Sequence, residues 1–330
     1  MMPSTTPTEQ AFPPMARAAN VDLGRKDFLS TIWRLIRMEL RKLTRRLYTR
    51  VSLLILAGLL LLAVAVQAWG ALNASKLPSS PFRESILHNY ANAFGFPTSL
   101  EAIGNILSNG QLIILGLLFL APIMGNEYVL GTIRLLFTRG PSRLQCLLGK
   151  ALASLIYIAG LILCLTLLYL VVGMLIYPVT GQPYSYVFAH FYDANFGANL
   201  GNTCLLLVTD VFSWYAFGVL AFFFGTLGRS TAAALGGALA WFVLETLTPY
   251  LSGILMYLFP SGPVHDLMRV LPDYLFIDNL QTLAHNRISA LGGLSVSAQA
   301  DLHALVVVAV YFVLFIGASC AITMRRDVTN

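Results

Sequence analysis

Six long apolar runs decide the fold class of this chain before any motif does. They cover about residues 51–69, 106–124, 152–177, 204–227, 231–248 and 304–324. Each comes close to or exceeds the roughly 20 residues that a helix needs to cross a bilayer. Backbone groups inside lipid must be satisfied within their own segment, so runs of this length read as helices. Only 11% of the chain is charged, against roughly 25% in a soluble protein. The predicted class is therefore an all-α integral membrane protein with little mass outside the bilayer. Residues 1–26 are rich in Pro, Thr and Ser and are expected to form a disordered N-terminal tail. Residues 27–330 read as a single transmembrane domain. The first apolar run starts too late and is too long for a cleavable leader.

Lys and Arg set the expected orientation. The segments before span one, between spans two and three, between spans four and five, and after span six carry 17 of the 21 basic residues. The other side carries Lys76, Arg83, Arg269 and Arg287. This bias places both termini on the cytoplasmic side of a cell's inner or plasma membrane. The net charge of +6 is thus a topology signal and gives no reason to expect a nucleic-acid partner. Loops 70–105 and 260–302 are long enough to hold short helices. Loop 178–203 has no Lys or Arg but carries Tyr184, Tyr186, Phe188, Phe191, Tyr192 and Phe196, which reads as an aromatic interfacial belt. After span five, Pro249 and a further apolar piece to Phe259 predict a broken segment that dips into the membrane and returns.

Ahead of span one, Phe28, Ile32, Ile36, Leu40, Leu43 and Leu47 recur at spacings of three and four, with Arg34, Arg37, Arg41 and Arg45 as a second stripe. That pattern predicts an amphipathic helix over 27–50 lying in the membrane interface, its apolar stripe toward lipid. Trp33, Arg34, Arg37 and Arg41 are its expected anchors, and membrane lipid its expected partner. Between spans two and three the stretch from Gly125 to Lys150 is polar and charged. Read as a short helix, it has Glu127 near its N-terminus, where the helix dipole favours an anion. Gly140-Pro141 stops it.

Catalytic motifs are missing. The chain has no Walker A pattern, HExxH or GxSxG. Residues 225–231, Gly-Thr-Leu-Gly-Arg-Ser-Thr, lack the lysine of a phosphate loop and read as a tight turn. His88, His190, His265, His285 and His303 have no ligand spacing, and Cys146, Cys164, Cys204 and Cys320 form no close pair. The expectation is a protein that is not an enzyme and holds no metal or cofactor in this chain.

Two acids stand inside the apolar runs, Asp210 and Glu245. Intramembrane carboxylates are costly and read as functional by default. At 1.5 Å per residue both fall roughly 9 Å below the outer edge of the bilayer core. Either they line an outer cavity or they are hydrogen-bonded to neighbouring helices. Span five also carries Ala232, Gly236 and Ala240 at four-residue spacing, which allows close helix approach in lipid. Larger residues follow toward the other end, with Glu245 among them. We expect Asp210, Gly236, Ala240 and Glu245 to line a translocation path at or near a dimer interface, with Glu245 facing a wet cavity.

The charged stretch resembles the cytoplasmic coupling segment of ATP-binding-cassette (ABC) type-2 permeases, the membrane subunits of exporters. The resemblance lies in Glu127-Tyr128, Gly131-Thr132, Arg134, Arg139, Pro141-Ser142-Arg143 and Leu148-Gly149-Lys150. Glu39-Leu40-Arg41-Lys42-Leu43 is similar to the family's amphipathic helix ahead of span one. The resemblance implies a permease domain that dimerises with a second copy or a related permease, with spans one and five facing that partner. It implies that Glu127, Tyr128, Gly131, Thr132, Arg134 and Arg139 dock a separate ATPase subunit, which holds the ATP and Mg. The family moves drugs, peptides, ions, lipids and polysaccharides. Two other readings compete: a secondary transporter using Asp210 and Glu245 as proton or cation sites, and a membrane sensor or assembly protein without transport.

Overall fold

The computed structural model describes residues 25–96, 98–108, 121–122, 142–180, 196–285 and 298–325. Ten α-helices are described: α1 (Arg25–Arg45), α2 (Leu47–Ser75), α3 (Pro81–Phe94), α4 (Thr98–Leu107), α5 (Arg143–Ile176), α6 (Phe196–Gly228), α7 (Thr231–Leu258), α8 (Pro263–Val270), α9 (Phe276–His285) and α10 (Ala298–Arg325). A 3-10 turn, Tyr177–Thr180, ends α5, and another, Leu271–Tyr274, joins α8 to α9. No strand occurs among the described residues.

Five of these helices, α2, α5, α6, α7 and α10, are long and apolar enough to cross a membrane. Their length and composition mark a multi-pass membrane protein. The expected second span, 106–124, falls almost wholly outside the described residues, with its first two residues in the last turn of α4. Most of the aromatic loop 178–203 and all of the tail before residue 25 also lie outside them.

Helix α6 is the axis of the bundle. It packs on α5, α7, α9 and α10, and 61% of its apolar span is buried, against 11% for α7. Trp214, Phe217 and Leu220 of α6 form the core with Tyr169 of α5, Phe276 of α9 and Val308 of α10. Tyr169 Oη donates to the Ala93 carbonyl at 3.0 Å and to Gln67 Oε1 at 3.4 Å, tying α5 to α3 and α2. The α6–α7 contact is close because Gly237 has no side chain: a Cβ there would overlap the Phe224 ring.

Within the 225–231 stretch α6 ends at Gly228 and α7 starts at Thr231, so the tight turn its sequence suggests is Arg229-Ser230. Arg229 takes the left-handed backbone (φ 51°), and Ser230 caps α7 by accepting from the Ala233 N–H at 3.0 Å.

The segment after Pro249 differs from expectation. Helix α7 does not break there but runs on to Leu258. Proline removes one backbone donor, and neighbouring hydroxyls act on the carbonyls nearby. Thr248 Oγ1 donates to the Leu244 carbonyl at 2.7 Å and Ser252 Oγ to the Pro249 carbonyl at 2.8 Å. The chain turns only after Phe259, and Gly262 (φ 102°) leads into α8. The loop 260–302 does hold short helices, α8 and α9.

Candidate functional site

The six expected docking residues, Glu127, Tyr128, Gly131, Thr132, Arg134 and Arg139, lie outside the described residues. The anchor of their segment does not. Ser142 opens α5 with a reciprocal cap: its Oγ accepts from the Gln145 N–H at 3.2 Å, and Gln145 Oε1 accepts from the Ser142 N–H at 2.8 Å. Arg143 donates to the carbonyls of Thr323 and Met324, at 3.2 and 3.0 Å, in the last turn of α10. Those carbonyls have no partner within their own helix, and a cation is favoured there.

Two turns further on, Lys150 Nζ meets Glu39 Oε1 of α1 at 3.2 Å. The same oxygen accepts from Lys42 at 3.0 Å. Lys150 is 2% exposed and Glu39 4%, so the pair is buried among apolar side chains. Gly149 makes room for it. A Cβ on Gly149 would stand 2.9 Å from Leu35 Cβ, so a side chain there would push α1 away. The first two turns of α5 thus fasten the polar stretch to α10 on one side and to α1 on the other.

Helix α1 is helical as predicted, but its apolar stripe is covered by protein. Ile32, Leu35, Ile36 and Leu43 are buried, and Ile32 and Ile36 pack with Ala153 of α5. The reason is that α5 offers a matching apolar and glycine surface at that height. Trp33, Arg34, Arg37 and Arg41 are exposed, with the Arg37 guanidinium 5.9 Å from the Trp33 ring centroid.

The two carboxylates are held by different elements. Asp210 is fully buried on α6. Its Oδ1 accepts from Ser108 Oγ at 2.6 Å, just past the end of α4. Its Oδ2 has no hydrogen-bond partner among the described residues. One turn along, Trp214 Nε1 donates to the Leu107 carbonyl at 3.1 Å, so α6 holds the end of α4 through one backbone carbonyl and one hydroxyl. Glu245, 5% exposed, caps α9. Its Oε1 accepts from the Phe276 N–H at 3.1 Å and from Trp241 Nε1 at 2.6 Å, and its Oε2 from the Ile277 N–H at 2.6 Å. His303 and Tyr311 of α10 bond the carbonyls of Asp273 and Tyr274 in the same strap.

This arrangement separates residues that the sequence reading put together. Gly236 and Ala240 are exposed with Ala232 on one face of α7, and nothing lies within 4 Å of a Cβ placed on Gly236. Glu245 is nine residues from Gly236, half a helical revolution round, and points into the protein. The wet cavity expected around Glu245 is replaced by backbone N–H groups of α9, because those orphan donors supply what a buried carboxylate needs. The row that packs inside the protein is Ala234, Gly237 and Ala238. No group of His, Cys, Asp and Glu able to hold a metal occurs among the described residues.

Sequence reasoning missed Ser108, Trp214 and Arg143 as partners, and the Glu39–Lys150 pair. Glu39 carried a signal: it sits on the apolar face of α1, between Leu35, Ile36 and Leu43, where an acid needs a partner.

The sequence model of a family described as "Protein of unknown function (DUF2705)" matches residues 60–329. The matched region runs from inside α2 past the end of α10 and leaves α1 outside. No curated protein matches the chain.

Proposed function

This chain belongs to the DUF2705 family, and we propose that it is the membrane-spanning subunit of an ATP-driven ABC exporter. It acts as a dimer, with a sixth span at 106–124 and both termini cytoplasmic. ATP hydrolysis takes place on a separate subunit, which docks on 126–139. The chain's own work is transport rather than catalysis.

The observation that carries this reading is the wiring at the start of α5. A segment that transmits force from an ATPase must be joined rigidly to helices that move. The polar stretch resembling a coupling segment leads into a turn bonded to α10 through Arg143 and to α1 through Lys150 and Glu39. The exposed face of α7 supports a dimer, since a Cβ on Gly236 would meet no described residue within 4 Å, Ala240 is exposed, and Val243, Leu244, Leu247 and Tyr250 continue outward exposed.

Copurification tests the reading. Glu127→Lys and Arg134→Glu weaken association with an ATPase subunit and leave the helix content unchanged. An ATPase that copurifies equally with both variants, and is stimulated equally, defeats the assignment. A second reading, a secondary transporter, is favoured by one feature: the buried Asp210 oxygen that has no hydrogen-bond partner among the described residues. Proton-driven uptake lost in Asp210→Asn, with no ATPase requirement, would select it instead.

A further inference from the structure

Helix α1 divides its circumference three ways. One side is buried: Ile32, Leu35 and Ile36 lie against α5 and Leu43 joins the main core. A second carries Leu29 and Trp33, 66% and 56% exposed, stacked one turn apart. The third side carries Arg34, Arg37, Met38, Arg41, Lys42 and Arg45, which line one groove of about 420 Å³.

Among the described residues, Lys42 is paired in this groove, with Glu39, and its four arginines have no acid beside them. Between residues 28 and 83 the sequence has one acid, Glu39, and that acid is turned inward to Lys150 and Lys42. Arg34, Arg37, Arg41 and Arg45 make no ion pair among the described residues.

The depth of the groove follows from connectivity. A single residue separates α1 from α2, whose apolar span starts at Thr49. Arg50 Nε reaches back to the Thr44 carbonyl at 3.4 Å. The basic face therefore lies where span one leaves the bilayer, at headgroup level, with Trp33 beside it as an amphipathic ring suited to that layer.

We propose that this groove binds the phosphate of an anionic phospholipid headgroup. Arginine guanidinium groups at helical spacing fit phosphate oxygens in bidentate fashion. The Arg37 guanidinium lies 5.9 Å from the Trp33 ring centroid, which links the basic groove to the exposed aromatic beside it. The inference rests on the chain being inserted in a membrane, not on its partner being an ATPase. A chain that fails to copurify with an ATPase can still pass the test below.

The test is lipid titration of the full chain, purified in an uncharged detergent, read by native mass spectrometry. The probes are phosphatidylglycerol and phosphatidylcholine with the same acyl chains. The chain retains phosphatidylglycerol in preference to phosphatidylcholine, and the preference falls as salt rises. Each cation is worth about fivefold in affinity, so Arg34→Gln with Arg41→Gln lowers phosphatidylglycerol binding roughly 25-fold. The Arg34→Lys, Arg41→Lys pair keeps most of it, and Lys76→Gln with Arg83→Gln at the opposite end changes nothing. Both arginines are exposed, so circular dichroism of the glutamine variant matches the parent. If that variant does not fold, the salt dependence of the parent's preference decides alone. Equal retention of the two lipids, unchanged binding in a folded glutamine variant, or displacement of the lipid by millimolar inorganic phosphate would overturn the proposal.

Discussion

Replacing Glu39 by Gln keeps the shape of the side chain and removes its charge at the junction of α1 and α5. Glu39 Oε1 holds two cations, Lys42 at 3.0 Å and Lys150 at 3.2 Å. They are not equivalent. Lys42 has a third of its side chain in solvent, so its ion pair is worth at most ~1 kcal/mol. Lys150 is buried, and neutralising one member of a buried pair costs about 3–5 kcal/mol. Glu39→Gln is therefore expected near the upper range and Lys42→Gln below ~1 kcal/mol. Lys150→Met falls between them, at about 1–3 kcal/mol, because Glu39 keeps its bond to Lys42. The double variant Glu39→Leu, Lys150→Met removes both charges and recovers most of the loss, since apolar replacement of a buried pair is often neutral. Unfolding midpoints in mild detergent give the ranking. Thiol labelling of Ile36→Cys, in a background cleared of the four native cysteines, reports whether α1 has left α5. A Glu39→Gln variant within about 0.5 kcal/mol of the parent, or Lys42→Gln costing as much as Glu39→Gln, refutes the reasoning.

Three more expectations follow from the described geometry. Glu245→Ala strands the buried N–H groups of Phe276 and Ile277 and costs about 2–4 kcal/mol; hydrogen exchange at the start of α9 rises more than anywhere in α5. Gly237→Ala forces a methyl into the Phe224 ring and destabilises by about 1–3 kcal/mol, whereas Gly236→Ala, with nothing within 4 Å, leaves the unfolding midpoint of the monomer in place. Asp278 of α9 lies outside the spans, and its burial raises its pKa above the ordinary 3.8. A carboxyl raised in the folded state favours folding below its unfolded pKa, and that contribution is lost as pH rises through the folded value; Asp278→Asn removes this acid-side slope from a pH series of unfolding midpoints.

Much of the helical frame was legible because its causes are local. Apolar runs long enough to cross a bilayer give helices wherever they occur, and α2, α5, α6, α7 and α10 appear where residues 51–69, 152–177, 204–227, 231–248 and 304–324 put them. The period of α1 was equally plain, but not what its apolar stripe would face. Lipid and a neighbouring helix are the same solvent to Ile32 and Ile36, and only the glycine and small apolar surface of α5 decides between them. The role of Glu245 was hidden for a similar reason. A carboxylate needs donors, and here they come from backbone N–H groups 31 and 32 residues on, which have no sequence letter. Pro249 was over-read, because proline removes a single rung of the helix and α7 continues past it to Leu258.

Pro249 stands four residues after Glu245, the spacing at which a backbone N–H would serve the Glu245 carbonyl. Proline has none to give. The residue that clamps α9 is therefore also the residue whose own rung in the α7 ladder is missing. Any bend in α7 is cheapest at this rung. The part before Glu245 then moves with α9 and the strap tied to it, while Tyr250–Leu258 swings separately. A single glutamate thus sets both the pivot of the helix and the cargo that its inner arm carries.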